Sequence, residues 1–225
     1  LKDNSMQIDP DKNIVITSGA IEALTAAFLT MLEPGDEVIV PAPYFPAYAD
    51  QIALANGVLV KADTTIENEF RLKVADLENS ISNKSKVLLL NTPNNPSGAV
   101  LTRQDLEEIA SLAIKHNLWV ISDECYEKFL YEGDHISIAS LPGMAERTVT
   151  ISAASKTWSM TGWRVGWIVC PEQMRPFANK CHQNLTTCAT SFAQAGVTEA
   201  FKHADKDVKT MVLEYKRRRD MVMKW

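Results

Sequence analysis

The sequence predicts an α/β fold with a mainly parallel sheet. Between residues 14 and 170, short runs rich in Val, Ile and Leu alternate with amphipathic stretches, which is the pattern of repeated strand–helix units. The chain has 225 residues, of which 46% are hydrophobic and 23% are charged. This length and composition suffice to bury one sizeable core, and no repeat or linker-like segment divides the sequence. We therefore predict one domain over residues 1–225.

Six strands are predicted from runs of β-branched and long apolar residues. In chain order they cover residues 38–41, 58–61, 86–90, 119–122, 148–152 and 165–170. Helices are predicted between them, where apolar residues recur at helical spacing. They cover residues 21–32, 47–55, 74–81 and 103–116, and two further long helices follow Pro171. The helix over 103–116 has the clearest pattern, because Thr102 precedes it as a capping residue.

Charge and hydropathy narrow the range of partners. Lys and Arg number 23 against 28 for Asp and Glu, so the formal net charge is -5. Without an excess of positive charge, we expect no nucleic-acid partner. No apolar run approaches the roughly 20 residues that span a bilayer, and residues 1–4 lack the features of a signal peptide. We expect no membrane partner and a cytoplasmic location.

Several common site motifs are missing from the sequence. Its nine glycines form neither a G-x-G-x-x-G fingerprint nor a P-loop, and neither H-E-x-x-H nor G-x-S-x-G occurs. The four cysteines contain no C-x-x-C pair, and the four histidines are scattered. We therefore expect no bound metal, no hydrolase triad and free, buried thiols.

Unusual residues follow three of the predicted strands and open the first helix. The third strand is followed by N-T-P-N-N-P-S-G (residues 91–98), the fourth by D-E-C-Y (123–126), and the fifth by S-K (155–156) and T-G-W-R (161–164). The first helix opens with S-G-A-I-E-A (18–23). In open parallel sheets, ligands bind beyond the carboxyl ends of the strands. We therefore expect these segments to meet at one site.

In this order, the motifs resemble those of the pyridoxal-phosphate-dependent aminotransferases of class I/II, the aspartate aminotransferase superfamily of fold type I. The resemblance extends from about residue 10 to the C-terminus. It implies the large domain of that fold, a three-layer α-β-α arrangement, with pyridoxal 5'-phosphate (PLP) as cofactor. Family members also have an N-terminal segment and a C-terminal small domain, and we expect both to be absent from residues 1–225.

The resemblance assigns catalytic roles to Lys156, Asp123 and Tyr126. Lys156 matches the lysine that forms a Schiff base with the aldehyde of PLP, a reaction suited to an amine in a partly desolvated pocket. Asp123 matches the carboxylate that keeps the pyridine nitrogen protonated, so that the ring can act as an electron sink. The structural alternatives are a surface lysine and an aspartate that caps the following turn.

Three residues match the family's contacts to the PLP ring. Asn95 and Tyr126 match the residues that hydrogen-bond its phenolic oxygen, and Phe45 matches an aromatic ring stacked on the pyridine. The alternatives are a turn residue for Asn95 and core packing for Tyr126 and Phe45. The resemblance also implies cis peptide bonds before Pro43 and Pro96.

The phosphate group needs hydrogen-bond donors and positive charge. Gly19, Ala20 and Ile21 open the first helix, whose free N–H groups and dipole favour an anion. Arg164 matches the family's phosphate-binding arginine. The sequence departs from many relatives at Ile21, where they have a small polar residue, and at Ala153, where they have a phosphate-binding serine. We therefore expect only backbone contacts from Gly19, Ala20 and Ile21.

The resemblance implies an enzyme that moves an amino group between an amino acid and a 2-oxo acid. Lys156 is then expected to shuttle a proton between the α-carbon of the substrate and the C4′ carbon of PLP. Two alternatives stay open, a carbon–sulfur β-lyase and a truncated PLP-binding fragment without turnover, because the cofactor supports several kinds of α-carbon chemistry. A homodimer is implied as well, since fold type I sites lie at a subunit interface.

Overall fold

The computed structural model describes residue 4 and residues 6–225. The prediction that the chain has no signal peptide was based on residues 1–4, and residues 1–3 lie outside the described part. Within it, no helix combines the length and the apolar character needed to cross a membrane.

Seven strands of the described chain form one sheet. They are β1 (Ile14–Thr17), β2 (Glu37–Ala42), β3 (Val58–Asp63), β4 (Ser85–Asn91), β5 (Trp119–Asp123), β6 (Thr148–Ala153) and β7 (Gly166–Val169). Their order in the sheet is β1-β7-β6-β5-β4-β2-β3. The strands from β2 to β6 run parallel, while β7 is antiparallel to both β6 and β1. The prediction of a mainly parallel sheet is confirmed.

Helices cover both faces of this sheet. In the described residues they are α1 (Pro10–Asn13), α2 (Ala20–Met31), α3 (Ala47–Leu54), α4 (Val74–Asn79), α5 (Arg103–Lys115), α6 (Ala154–Thr157), α7 (Arg175–Thr186), α8 (Ser191–His203) and α9 (Asp205–Val222). Buried residues of α2, α3 and α7 share one core with the sheet, and buried residues of α4 and α5 share a second core. The predicted three-layer α-β-α arrangement is therefore confirmed.

Successive residues of a central strand alternate between these two cores. In β4, Val87 and Leu89 belong to the core with α2, whereas Leu88 and Leu90 belong to the core with α5. All four side chains are at most 1% exposed. A strand segment buried on both faces needs apolar residues at successive positions, which is why residues 87–90 of β4 form a continuous apolar run rather than an alternating one.

The structure differs from the predicted elements in two places. The sequence predicts no strand before residue 38, whereas β1 pairs antiparallel with β7 at the sheet edge. Three helices follow Pro171, not the predicted two. Thr187 has a positive φ of 66° and ends α7, and Ala204 separates α8 from α9. These breaks contain neither Gly nor Pro, so the usual sequence signals for a helix end are missing.

A cavity of about 1090 Å³ lies between the sheet and the last two helices. Its lining includes Thr150, Ser152 and Trp167 from the sheet and Val197 and Phe201 from α8. The hydroxyls of Thr150 and Ser152 are buried and have no hydrogen-bond partner among the described residues. Ser152 thus lies on the opposite face of β6 from Ile151, which belongs to the core with α2.

Candidate active site

The motifs singled out in the sequence meet at the carboxyl ends of three neighbouring parallel strands. Asn91 ends β4 and pairs with Asp123, which ends β5. Asp123 pairs in turn with Ile151 of β6, and β6 leads directly into the short helix α6 that carries Lys156. The parallel register therefore places an amide, a carboxylate and an amine along one edge of the sheet.

Asp123 has a buried carboxylate that two donors hold. The hydroxyl of Tyr48 donates to its Oδ2 at 2.7 Å, and the backbone N–H of Cys125 donates to its Oδ1 at 3.1 Å. Burial raises the pKa of Asp123 above its usual value, although these two hydrogen bonds oppose the rise. The bond from Cys125 means that Asp123 also caps the following turn, the structural alternative for this residue.

The two buried groups nearest to Asp123 stay neutral around pH 7. Burial, followed by the charge of Asp123, raises the pKa of the Tyr48 hydroxyl well above its usual value. The same two causes act in the same order on the Cys125 thiol, whose pKa is also well above the usual range. A neutral thiol is a poor nucleophile, so Cys125 fills space beside Asp123.

Asn95, Tyr126 and Lys156 lie on the same side of the site. The backbone N–H of Asn95 donates to Oδ1 of Asn91 at 2.8 Å, which fixes the loop after β4. Burial raises the pKa of the Tyr126 hydroxyl, and a hydrogen bond with the Asn95 side chain opposes this rise. Nζ of Lys156 lies 5.7 Å from the centroid of the Tyr126 ring. Lys156 itself is half-buried, not the surface lysine of the structural alternative.

A contact between two aromatic rings and three cis peptide bonds before prolines complete this part of the site. The ring of Phe45 packs edge-on against the ring of Tyr48, with centroids 5.6 Å apart. Phe45 is therefore linked to Asp123 through a single side chain. The peptide bonds before Pro43 and Pro96 are both cis, as the resemblance implies, and the bond before Pro93 is also cis.

A positively charged cradle lies at the N-terminus of α2. The guanidinium of Arg164 donates from Nη1 to the Thr161 carbonyl at 2.8 Å and from Nη2 to the Ser18 carbonyl at 3.3 Å. It lies directly against Gly19, where an added Cβ would come within 2.9 Å of Cζ of Arg164. Gly19 also has a positive φ of 88°, which a residue with a side chain rarely adopts. The guanidinium and the free N–H groups of the helix therefore face the same space.

The two residues that follow Gly19 supply backbone rather than side-chain polarity. Helix α2 begins at Ala20, and the apolar side chain of Ile21 is 44% exposed. An aliphatic side chain at this exposed position has no polar group to offer an anion, so a contact of Ile21 with an anion would have to come from its backbone. Ser155, next to Lys156, is half-buried.

Sequence reasoning missed three residues that organise the site. Tyr48 holds Asp123 across 75 residues of sequence, and Asn91 donates from Nδ2 to the Asp123 carbonyl at 3.0 Å. Glu22 accepts from the backbone N–H of Ser18 at 2.9 Å and lies 3.1 Å from Nδ1 of His182. Glu22 follows Ile21 in the S-G-A-I-E-A motif (residues 18–23). This position in the motif was the one sequence signal that could have identified Glu22 as part of the site.

The sequence matches a known family over almost its whole length. The model of the family described as aminotransferase class I and II covers residues 1–224. The chain belongs to this family. Its members depend on PLP, and the fold type I assignment is confirmed by the solved structures that resemble the chain.

Individual relatives are similar along nearly all of the chain. The aromatic-amino-acid aminotransferase 2 of Thermococcus litoralis and the aspartate aminotransferase of Pyrococcus abyssi are each 43% identical over 226 residues, 99% of this chain. The solved aromatic aminotransferase from Pyrococcus horikoshii OT3 is 42% identical, has a TM-score of 0.97 and matches over 99% of this chain and 60% of its own. The chain spans 58% of the length of the first two relatives.

Proposed function

We propose that this chain is the PLP-binding large domain of an aminotransferase, which moves an amino group between an amino acid and a 2-oxo acid. The observation that carries the proposal is the arrangement at the sheet edge. A buried carboxylate (Asp123), an amine (Lys156) and a guanidinium at a helix N-terminus (Arg164 at α2) surround one site. The names of the relatives described above, all aminotransferases, support transamination over a β-lyase reaction.

These residues fit three parts of PLP, namely its ring nitrogen, its phosphate and its aldehyde. Asp123 offers a negative charge to a protonated ring nitrogen, and the hydrogen bonds from Tyr48 and Cys125 stabilise that charge against the effect of burial. Arg164 and the N–H groups of Gly19, Ala20 and Ile21 offer donors and positive charge to the phosphate. Lys156 offers the amine that binds an aldehyde.

When bound, PLP supplies an electron sink for the α-carbon of the substrate. The residues of the chain then position groups and move protons. Lys156 would hold the cofactor through its amine, and the same amine, once a substrate amine has replaced it, would take the proton from the α-carbon as a general base and deliver it to C4′ as a general acid. Asn95 and Tyr126 would donate hydrogen bonds to the phenolic oxygen, and Phe45 would pack on the face of the ring.

A homodimer belongs to the same proposal and is supported by the family resemblance alone. The cytoplasmic location expected from the sequence belongs to the proposal as well. The fragment alternative predicts instead that these 225 residues bind PLP without turnover, because the relatives are longer.

Products distinguish the candidate reactions. The chain is incubated with PLP and a panel of amino acids, with and without a 2-oxo acid, and the new amino acid, pyruvate and ammonia are measured. We expect amino transfer that requires the oxo acid, and its loss in Lys156→Ala but not in Lys206→Ala, a change on the exposed surface of α9. Release of pyruvate and ammonia without an oxo acid would instead identify a β-lyase.

Turnover and binding are scored separately in the same experiment. PLP binding without any turnover would support the fragment alternative. An absence of PLP binding in the unsubstituted chain would contradict the proposal as a whole.

A further inference from the structure

A second buried carboxylate lies directly behind Asp123 and has no role in the proposed reaction. Glu124 is the next residue in the chain, and it is 0% exposed. Successive side chains at a strand end point to opposite faces of the sheet. Asp123 therefore contacts Tyr48, while Glu124 contacts Ser122, two residues before it on the same side.

Four donors converge on the two oxygens of Glu124. Its Oε1 accepts from the hydroxyls of Ser122 at 2.9 Å and Ser137 at 2.7 Å. Its Oε2 accepts from Nε2 of His135 at 2.9 Å and from Nδ2 of Asn4 at 3.2 Å. A buried carboxylate without such partners would be strongly destabilising, so this complete set of donors is what allows Glu124 to be buried.

The network connects the end of β5 to a separate segment of the chain. Ser137 is 1% exposed and precedes a 3₁₀ turn, Ile138–Ser140, whose first residue belongs to the core with α5. The side chain of Glu124 is thus anchored on one side by its own strand and on the other by the packed segment that contains Ser137. Such anchoring leaves the peptide between Asp123 and Glu124 little freedom to move.

The backbone N–H and carbonyl groups of the same peptide also form hydrogen bonds with residues of both neighbouring strands. The N–H of Glu124 donates to the Ile151 carbonyl of β6 at 2.8 Å. The carbonyl of Asp123 accepts from Nδ2 of Asn91 on β4 at 3.0 Å. The Cα of Asp123 is bonded directly to this fixed peptide. The contacts that hold the peptide, including those of the Glu124 side chain, therefore help to orient the Asp123 carboxylate.

Glu124, Glu127 and His135 also bring ligand-type atoms within 4.8 Å of one another. A cation site needs free lone pairs that point to a common centre. The oxygens of Glu124 instead accept from hydroxyl and amide donors, as described above, and Glu127 accepts from Nδ2 of Asn4 at 2.9 Å. The cluster is therefore described better as a hydrogen-bond network than as a metal site.

We propose that Glu124 is a positioning residue for Asp123. Its hydrogen bonds fix the peptide that carries Asp123, and its negative charge adds to the potential that Asp123 presents to the ring nitrogen of PLP. The inference rests on the proposed function, because it concerns the same cofactor. Electrostatics support it. Burial is the largest cause of the raised pKa of Asp123, the hydrogen bonds at Asp123 oppose this rise, and the negative charge of Glu124 adds to it. Negative potential of this kind favours a protonated ring nitrogen.

The test compares Glu124→Gln with Glu127→Gln in the 225-residue chain loaded with PLP that is ¹⁵N-labelled in the ring. Both substitutions remove one carboxylate from the same cluster, and both affected carboxylates bond to Asn4. NMR measures the ¹⁵N shift of the ring nitrogen, which reports its protonation, and titration measures the PLP affinity. A general loss of packing does not by itself change the protonation of the ring nitrogen.

For Glu124→Gln we expect the ¹⁵N shift to move towards that of unprotonated pyridine and the affinity to fall about tenfold, the lower end of the effect of losing a supporting partner at other sites. For Glu127→Gln we expect a shift and an affinity close to those of the unsubstituted chain. An equal shift in the Glu124→Gln and unsubstituted proteins would overturn the inference.

A milder variant covers the case in which Glu124→Gln does not fold. Ser137→Ala removes one donor at 2.7 Å and keeps the carboxylate. We expect it to lower the PLP affinity less than Glu124→Gln, with a smaller ¹⁵N change in the same direction. No change in either quantity would count against the inference. If the unsubstituted chain gives no bound ¹⁵N signal, the failure belongs to the proposed function and not to the role of Glu124.

Discussion

The hydroxyl of Tyr48 and the carboxylate of Asp123 form the shortest polar contact made by Asp123, although 75 residues separate them in sequence. In an apolar environment, a hydrogen bond to a charged group stabilises the charge that a proton would otherwise neutralise. Tyr48 thus opposes the rise in the pKa of Asp123 that burial causes. A carboxylate kept available for ionisation is the partner that a protonated pyridine requires.

Replacing Tyr48 with Phe removes this hydroxyl and keeps the ring packing. The pKa of Asp123 should then rise further, so that the carboxyl becomes a weaker partner for a cationic ring. We expect PLP to bind at least about tenfold more weakly, which corresponds to the loss of one hydrogen bond to a charged group. Titration with PLP measures the affinity, and Tyr44→Phe, in the loop that precedes α3, serves as the control. Unchanged affinity in Tyr48→Phe would show that Tyr48 does not act on Asp123.

A second prediction at the residue scale concerns Gly19. An alanine here has the wrong φ preference, and its Cβ would displace the guanidinium of Arg164. Gly35→Ala is a matched control, because Gly35 has a φ of 90° but no atom within 4 Å of an added Cβ. Both variants should lose stability, by about 1 kcal/mol or more for the strained backbone.

Only Gly19→Ala should weaken the binding of phosphate-containing ligands. The measurement is the ratio of PLP affinity to pyridoxal affinity, since pyridoxal lacks the phosphate. We expect this ratio to fall in Gly19→Ala and to stay constant in Gly35→Ala. A constant ratio in both variants would remove Arg164 and Gly19 from the phosphate site.

Among the elements, α5 begins as its sequence predicts. Oγ1 of Thr102 accepts from the N–H of Asp105 at 3.2 Å, and Oδ2 of Asp105 accepts from the N–H of Thr102 at 2.8 Å. Nη1 of Arg71 adds an ion pair to Asp105 at 3.0 Å. Burial alone would raise the pKa of Asp105, but the bonds from Thr102 and Arg71 outweigh it, so the pKa is lowered.

This lowered pKa predicts how stability depends on pH. A carboxyl with a folded pKa below its unfolded value, about 3.9 for Asp, contributes stability above that value and loses it as the pH falls through the folded pKa. Asp105→Asn should therefore be less stable than the unsubstituted chain at pH 7, and the difference should shrink below about pH 4. Denaturant unfolding at a series of pH values measures both. A constant difference at every pH would mean that the charge of Asp105 makes no contribution.

The central elements could be predicted from the sequence because their signals are local. Residues 87–90 form a continuous apolar run, and residues 103–116 have a cap and helical spacing. The structure has β4 and α5 at these places. The edge strand β1 has only four residues, too few to carry a clear pattern of its own. The break at Thr187 depends on a left-handed φ in a residue that does not signal it.

The same contrast holds for the candidate site. Asp123, Lys156 and Arg164 stand in motifs at strand ends, so a resemblance could identify them. Tyr48 and the partners of Glu124 could not be found in this way, because each depends on where distant segments pack. Motifs thus indicate the groups that we propose to meet PLP, while the groups that hold them in place become visible only in the folded chain.

For the whole molecule, the proposal predicts that PLP stabilises the folded chain. A ligand that binds only the folded state adds about 2.7 kcal/mol at 100 times its dissociation constant. For a chain of this size, this corresponds to a rise in Tm of roughly 5–10 °C. Differential scanning fluorimetry with PLP should show this rise, and pyridoxal at the same concentration should give a smaller one. A Tm independent of PLP concentration would contradict binding to the folded chain.

The central claim is that Lys156 binds the aldehyde of PLP, and one experiment tests it most directly. Absorption spectra of the chain with added PLP are recorded before and after reduction with borohydride, and the modified lysine is mapped by peptide mass spectrometry. The account predicts a visible band that reduction abolishes and a label on the peptide that contains Lys156. A label at any other lysine, with Lys156 unmodified, would contradict it.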